Sequence, residues 1–204
     1  MKILVTGADG QLGTSIKKVS KNPSTYIFAN KSHLDLSIKK NIKEVLAELD
    51  PDIIVNAAAF TDVDSAENKK LQANLINSDA VHELANFCRI KNRCLIHIST
   101  DYIFDGKKNT PYMEYDEPNP INEYGESKLR GENNIIQSNC KFIIIRTSWV
   151  YSEFGKNFLK TMHNLSKDKE YLNIIDDQIG SPTYARDLAK AVLEIINFNE
   201  SYNK

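Results

Sequence analysis

The chain has 204 residues, 41% hydrophobic and 26% charged, with 26 basic against 27 acidic side chains and a net charge of −1. That apolar content excludes a disordered or collagen-like chain, and the charge balance removes any bulk pull toward nucleic acid or an anionic membrane. No run approaches the roughly 18 apolar residues of a membrane helix, and the start reaches Gly7 too soon for a secretory leader. Cys88, Cys94 and Cys140 are an odd set without metal-ligand spacing, so a cytoplasmic protein with no metal site, no nucleic-acid partner and no membrane partner is expected.

In chain order, residues 2–6 read as a buried strand, followed by a glycine turn and a helix over 11–20. Residues 26–30 read as a second strand. Ser37 is placed as the N-cap of a helix that carries Ile38, Ile42, Val45, Leu46 and Leu49 on one face. Pro51-Asp52 ends it, and 53–55 form the next strand. Residues 64–91 read as helical in two pieces, 95–99 as a strand, and 141–146 as a β-branched strand. A long loop with Pro111, Pro118 and Pro120 spans 105–122, a length that usually marks function or disorder. A helical pattern over 188–196 and a polar tail at 199–204 follow. Apolar, unalternating strands between helices predict an α/β fold, a doubly wound parallel sheet with helices on both faces. Pattern alone does not separate a Rossmann-like sheet from a flavodoxin-like one.

Gly7-Ala8-Asp9-Gly10-Gln11-Leu12-Gly13 lies between the first strand and the first helix. Gly7 allows the sharp exit from the strand, Gly10 a close approach of backbone to a pyrophosphate, and Gly13 tight helix–sheet packing. The spacing is G-x-x-G-x-x-G rather than G-x-G-x-x-G, and three glycines in a turn also occur for purely structural reasons. The second strand ends Ala29-Asn30-Lys31-Ser32, with no acidic residue to repel a 2′-phosphate. Lys31 there favours NADPH over NADH, unless it is only a solvated surface lysine. Asp35-Leu36 offers a carboxylate and an apolar wall for adenine. Asn56-Ala57-Ala58-Ala59 offers small side chains against which a cofactor, or simply a packed neighbour, can lie.

Tyr124 and Lys128, four residues apart, share one face of a helix. A free tyrosine has a pKa near ~10, and a neighbouring ammonium is expected to favour the phenolate and bring the group toward proton transfer. The lysine can also bond a nicotinamide ribose. Tyr-x-x-x-Lys is common by chance, but here it accompanies a glycine turn and a Ser99-Thr100 pair at a strand's C-terminal end, where open α/β sheets bind ligands.

Taken together, the chain resembles the extended short-chain dehydrogenase/reductases, and within them the dTDP-4-dehydrorhamnose reductase family. The resemblance runs nearly end to end, through residues 7–13, 51–64, 99–106, 124–128, 146–151 and 177–183. The first and fourth segments are generic to extended reductases. Thr100-Asp101-Tyr102, the Arg146-Thr147-Ser148-Trp149-Val150-Tyr151 run and Asp177-Gln178 are specific to this branch. The resemblance implies an enzyme that uses NAD(P)H to reduce the C4 ketone of a dTDP-sugar, a step in cell-surface polysaccharide precursor synthesis. It implies Tyr124 as proton donor, Lys128 as its electrostatic partner and Thr100 as the hydroxyl that polarises the ketone. Implied cofactor contacts are Gly10, Gln11, Leu12, Asn30, Asp35, Leu36, Ala59, Phe60 and Thr61. Thr100, Asp101 and Trp149 would face the sugar nucleotide, although Trp149 taken alone reads as an ordinary core aromatic. Asn30 stands where many relatives carry an acidic residue.

Two rival functions remain at this stage: a non-catalytic nucleotide-binding regulatory subunit, and another nucleotide-sugar reductase or epimerase. Residues 1–150 are expected to form the cofactor-binding domain with the catalytic residues, and 151–204 a partial substrate lobe. Family members run several tens of residues longer. The expected consequences are weak dTDP-sugar binding and apolar surface exposed around Val192, Leu193 and Ile196, which favours a homodimer.

Overall fold

The computed structural model of the protein describes residues 1–202. Five parallel strands form the central sheet: β1 (Ile3–Thr6), β2 (Tyr26–Ala29), β3 (Ile53–Asn56), β4 (Cys94–Thr100) and β5 (Lys141–Thr147), in the order β2-β1-β3-β4-β5. Helices α1 (Gln11–Val19), α2 (Lys39–Leu49), α3 (Val63–Asn68), α4 (Lys70–Asn74), α5 (Ala80–Lys91) and α6 (Glu123–Ser138) connect them. A second, two-stranded parallel sheet pairs β6 (Val150–Tyr151) with β7 (Thr183–Tyr184). Helix α7 (Phe158–Leu165) lies between these two strands in sequence, and α8 (Ala185–Tyr202) closes the fold. This is the expected Rossmann-like α/β sheet with helices on both faces.

The alternation of side chains along each strand explains why apolar residues fall on both of its faces. Leu4, Ile54 and Leu95 point to one face, where they meet Ile42, Val45 and Leu46 of α2 and Val81, Leu84 and Cys88 of α5. Ile3, Val5, Ile53, Val55 and Ile96 point to the other, against Leu12 and Ile16 of α1 and Leu188, Val192 and Ile196 of α8. Both faces are covered, so apolar side chains dominate each. Thr6, Asn56 and His97, polar residues buried in the strands, are each hydrogen-bonded.

Three expectations are corrected here. Ser37 does not cap α2: the helix starts at Lys39, its N-cap position is Ile38 with no side-chain cap bond, and Ile38 is exposed. The Ser37 hydroxyl and amide both donate to Asp35 Oδ1 instead, a local bond that competes with capping. The helical stretch after β3 is broken more than once, by Lys69 and by a π turn over Leu75–Asp79. The apolar edge expected at Val192, Leu193 and Ile196 is not exposed. Val192 and Ile196 are fully buried against α1 and the sheet, with Leu193 packed beside them. Leu188, Val192 and Ile196 each contribute roughly 1.5–3 kcal/mol by burial, which makes α8 a sheet-covering helix. The helical pattern extends through 199–202, and residues 203–204 of the expected polar tail lie outside the described residues. Exposed apolar side chains lie instead along 158–179, at Phe158, Leu159, Ile174, Ile175 and Ile179, as well as elsewhere on the surface.

Candidate active site

A cleft of about 790 Å³ opens at the C-terminal ends of β1, β3 and β4. It lies where the connections from β1 and β3 run to opposite sides, the switch point at which such sheets bind ligands. Its volume is within the range of about 300–1,000 Å³ usual for ligand sites. Gly7, Gly10, Gln11 and Leu12 form its floor. Gly7 has φ +65°, and a Cβ there would stand 2.9 Å from Ala57 O and Ala58 Cα. Gly13 does not line the cleft: a Cβ there would meet Gly7 O at 2.3 Å, so this glycine lets α1 close onto the turn, the packing role expected of it. Helix α1 starts with Gly10 as N-cap, with no side-chain cap bond and no acidic residue in its first turn. Its orphan N–H groups are therefore free for an anion, with the positive end of the helix dipole behind them. An uncapped helix start in a glycine cradle fits the pyrophosphate of a dinucleotide.

Asn30, Lys31, Asp35 and Leu36 line the wall beyond β2. The Asn30 side chain is held in its own turn, its Oδ1 accepting from Ser32 Oγ at 2.8 Å and His33 N at 3.3 Å. Asp35 is held below the ordinary carboxylate range, first by its hydrogen bond from Ser37 and more weakly by Lys31. Ala57, Ala58, Ala59 and Thr61 complete this side. Phe60 does not line the cleft. With Val63 and Tyr102 it packs against the buried cluster of Ala66, Ala73 and Tyr124, with its N–H and C=O both bonded to the Asn77 side chain.

Thr100, Tyr124 and Lys128 converge on the opposite wall. Asn122 caps α6, its Oδ1 accepting from Gly125 N at 2.8 Å, so the Tyr-x-x-x-Lys face is presented from the helix's first turn onward. Tyr124 is nearly buried and Lys128 wholly so. Burial pushes the Tyr124 phenol up to about 12, a hydrogen bond with Thr100 opposing it. Burial also lowers the Lys128 amine to about 8, with Glu132 pulling the other way. The expectation that Lys128 depresses Tyr124 is corrected: the amine is committed to Ile98 O at 2.7 Å and His97 Nε2 at 3.2 Å, and desolvation of the phenol dominates. The Thr100 hydroxyl donates to Asp101 Oδ1 at 3.2 Å and accepts from Tyr102 N. Burial raises the Asp101 carboxyl.

Trp149 is not a core residue. It is 43% exposed, takes φ +46° and lines the cleft mouth. A residue with φ > 0 and a bulky side chain is strained, and such positions cluster at functional sites. Gln11 has a role that its glycine-rich setting hides. Its Nε2 donates to Val150 O, and its Oε1 accepts from Ser152 Oγ and Asn157 Nδ2, at 2.9–3.0 Å. It ties the 150–157 segment to the start of α1. That segment brings Gly155 and Lys156 to the cleft, residues the sequence reading missed; the only signal was a glycine beside a cation before the next helix. Asp9, Tyr102 and Thr147 also line the cleft and were missed.

A Rossmann sheet, a glycine cradle under an uncapped helix and a Tyr–Lys couple facing the same cleft define the short-chain dehydrogenase/reductase class. Comparison with known proteins narrows the class. The RmlD substrate binding domain family matches residues 1–203. A curated dTDP-4-dehydrorhamnose reductase of Aggregatibacter actinomycetemcomitans is 40% identical over 196 residues, covering 95% of this chain and 67% of that protein. The crystal structure of a Clostridium acetobutylicum dTDP-4-dehydrorhamnose reductase aligns with TM-score 0.93 at 40% identity, over 98% of this chain and 71% of that one. A Bacillus anthracis dTDP-4-dehydrorhamnose reductase, solved in complex with NADP, aligns with TM-score 0.90 at 39% identity, over 97% and 71%. The chain belongs to the dTDP-4-dehydrorhamnose reductase family. It spans about two thirds of the length of the curated relatives it matches.

Proposed function

We propose that this chain carries the cofactor site and catalytic residues of an NAD(P)H-dependent reductase acting on the C4 ketone of dTDP-4-dehydro-L-rhamnose to give dTDP-L-rhamnose. The observation that carries this reading is the convergence of Thr100, Tyr124 and Lys128 on the cleft that the Gly7–Gly13 turn floors. A purely regulatory nucleotide-binding module has no need of that convergence. NADPH is favoured because Lys31 stands at the β2 end with no acidic neighbour in the turn, and because the similar Bacillus anthracis protein was solved with NADP. The bound nicotinamide would supply hydride.

The chain's own residues supply the rest. Tyr124 holds its proton at neutral pH because burial keeps the phenol from ionising, so it is a donor for the alkoxide that forms as the ketone is reduced. The Thr100 hydroxyl, held by the Tyr102 amide, would turn its one proton from Asp101 Oδ1 to the ketone oxygen and so polarise it. Lys128 provides a buried amine for the nicotinamide ribose. Gly10, Gln11 and Leu12 hold the pyrophosphate, Ala59, Thr61 and the backbone at Phe60 border the nicotinamide half, and Asn30, Asp35 and Leu36 the adenosine half. Asp101 and Trp149 face the sugar nucleotide. The boundary between cofactor domain and substrate lobe is placed near residue 150. The cofactor is held before it, and 151–184 contribute to the substrate side while α8 covers the sheet.

A cytoplasmic location fits three free thiols, and no described helix is long and apolar enough to cross a membrane. The homodimer is tested by sedimentation equilibrium, a purely monomeric species arguing against it. The reductase reading is tested by mixing the chain with NADPH and the 4-keto-6-deoxy sugar nucleotide. Loss of reduced-nicotinamide absorbance that depends on both is expected. A cofactor that is bound but never oxidised at saturating sugar nucleotide would overturn the reading in favour of a binding module.

A further inference from the structure

Behind Lys128 lies a chain of buried polar side chains that the proposed reaction does not use. The Thr6 hydroxyl accepts from Ala58 N at 3.1 Å and donates to Asn56 Oδ1 at 2.7 Å. Asn56 Nδ2 faces His97 Nδ1 at 3.0 Å, and His97 Nε2 faces Lys128 Nζ at 3.2 Å. All four side chains are buried, drawn from β1, β3, β4 and α6, and the last three are fully so. The two hydrogen bonds of the His97 ring run to Asn56 on one side and to the amine on the other.

Counting protons fixes what this chain can do. With Thr6 donating to Asn56 Oδ1, the Asn56 amide presents its N–H to His97 Nδ1, which must then be bare. A neutral ring in that state carries its proton on Nε2 and can donate it only to an uncharged Lys128 amine. When Lys128 is an ammonium, Nε2 must be bare to accept from it. The ring proton then sits on Nδ1, and the Asn56 amide turns its oxygen to receive it. The Thr6 hydroxyl, still accepting from Ala58 N, accepts from Asn56 Nδ2 on its second lone pair and gives up its own donation to Asn56. The ring thus offers Lys128 an acceptor in one charge state and a donor in the other, while Ile98 O accepts from the amine in both. Without the ring the amine would keep Ile98 O alone, and its remaining buried hydrogen-bonding capacity would go unmet in either charge state.

We propose that His97, oriented by Asn56 and Thr6, is the positioning residue for Lys128, its ring tautomer following the charge of the amine so that the amine keeps one place at the cleft wall. The assignment rests on Lys128 serving the reacting site. The charged or titratable groups around the pair are few. On α6 they are Glu132, which pulls Lys128 upward, and Tyr124. From β5 comes Arg146, ion-paired to Glu132 at 2.8 Å, and after β4 comes Asp101. Burial and Lys128 both hold the ring well below its ordinary protonation range, so it exchanges tautomers rather than becoming a cation.

The test is ¹⁵N NMR of the His97 ring and ¹³Cε NMR of Lys128 in the unmodified chain from about pH 6 to 10, the window around the lowered lysine. The expected result is a change of protonated ring nitrogen, from Nδ1 to Nε2, with the same midpoint as the Lys128 signal. A ring that keeps one tautomer throughout, or becomes imidazolium, would overturn the proposal. Two variants separate positioning from packing. Asparagine at 97 places its amide near Nδ1 and keeps the Asn56 contact, whereas glutamine reaches the place of Nε2 and keeps the Lys128 contact. His97→Asn is expected to shift the Lys128 midpoint and weaken NADPH binding about fivefold, the worth of one ordinary hydrogen bond. His97→Gln should restore both to within about twofold; equal losses in the two variants would show mere packing and refute the assignment. Absence of NADPH binding by the unmodified chain would instead count against the reading of the cleft, and the ring and lysine signals would still report on His97.

Discussion

Asn77 gives the sharpest link between the fold and the site. It is 1% exposed in the π turn before α5. Its Oδ1 accepts from Phe60 N at 2.8 Å, and its Nδ2 donates to Phe60 O and Ser127 Oγ, each at 3.0 Å. One side chain thus fixes the backbone between Ala59 and Thr61, which line the cleft, and touches α6 between Tyr124 and Lys128. Asn77→Ala leaves the Phe60 N–H and C=O without partners, while Ser127 Oγ keeps its bond to Tyr124 O at 2.7 Å. Orphaned buried groups cost about 1–3 kcal/mol each. Phe60 is only partly buried, so water recovers some of that, and a loss of about 3 kcal/mol is expected. At about 2–4 °C per kcal/mol for a chain of this size, Tm falls by about 6–12 °C. Asn77→Asp retains one bond but sets a carboxylate against Phe60 O, and should be no better at pH 7. Urea and thermal denaturation measure the loss, and NADPH titration should show weakened binding. A stability change below about 1 kcal/mol would refute the view that this residue pins the cleft wall.

Tyr124→Phe keeps the ring, so folding and NADPH affinity should hold while sugar-dependent NADPH oxidation falls roughly 10²–10⁴-fold; steady-state kinetics check this, and near-normal turnover would remove Tyr124 as donor. Lys128 has a folded pKa of about 8 against 10.5 unfolded. Between those values the unfolded chain binds the extra proton, so stability rises with pH across that window, by about 3 kcal/mol in total. The stability of Lys128→Met relative to the unmodified chain should therefore fall by about that amount from pH 7 to pH 10; urea titrations that show a pH-independent difference would contradict the lowered amine. Gln11→Ala removes three bonds to the 150–157 segment and should speed tryptic cleavage after Lys156 with little change in global Tm; an unchanged cleavage rate would deny the tether.

The sheet was legible because Ile3, Leu4 and Val5, like Ile53, Ile54 and Val55, are apolar on both faces, a pattern that only a doubly covered strand explains. The glycine turn and the Tyr–Lys pair were legible because their chemistry needs fixed local spacing. Ser37 misled because a hydroxyl ahead of a helix can bond Asp35 as readily as cap, and the sequence does not show which. The Tyr124 shift was missed for a similar reason. Spacing places Lys128 on the same helix face, but only the packing reveals that Ile98 O and His97 occupy the amine. Val192 and Ile196 were expected at an open edge because the partner surface for a helix lies outside its own sequence; α1 provides it. The Gln11 tether joins residues about 140 positions apart, and no local signal announces such a bond.

Calorimetric titration of NADPH into the unmodified chain, beside Lys128→Met, tests the central claim most directly. The account predicts one site of micromolar affinity, on the order of −8 kcal/mol, weaker binding of NADH, and at least a severalfold loss in the variant. No binding at millimolar NADPH, or identical binding by both proteins, would contradict the assignment of this cleft and of Lys128 within it.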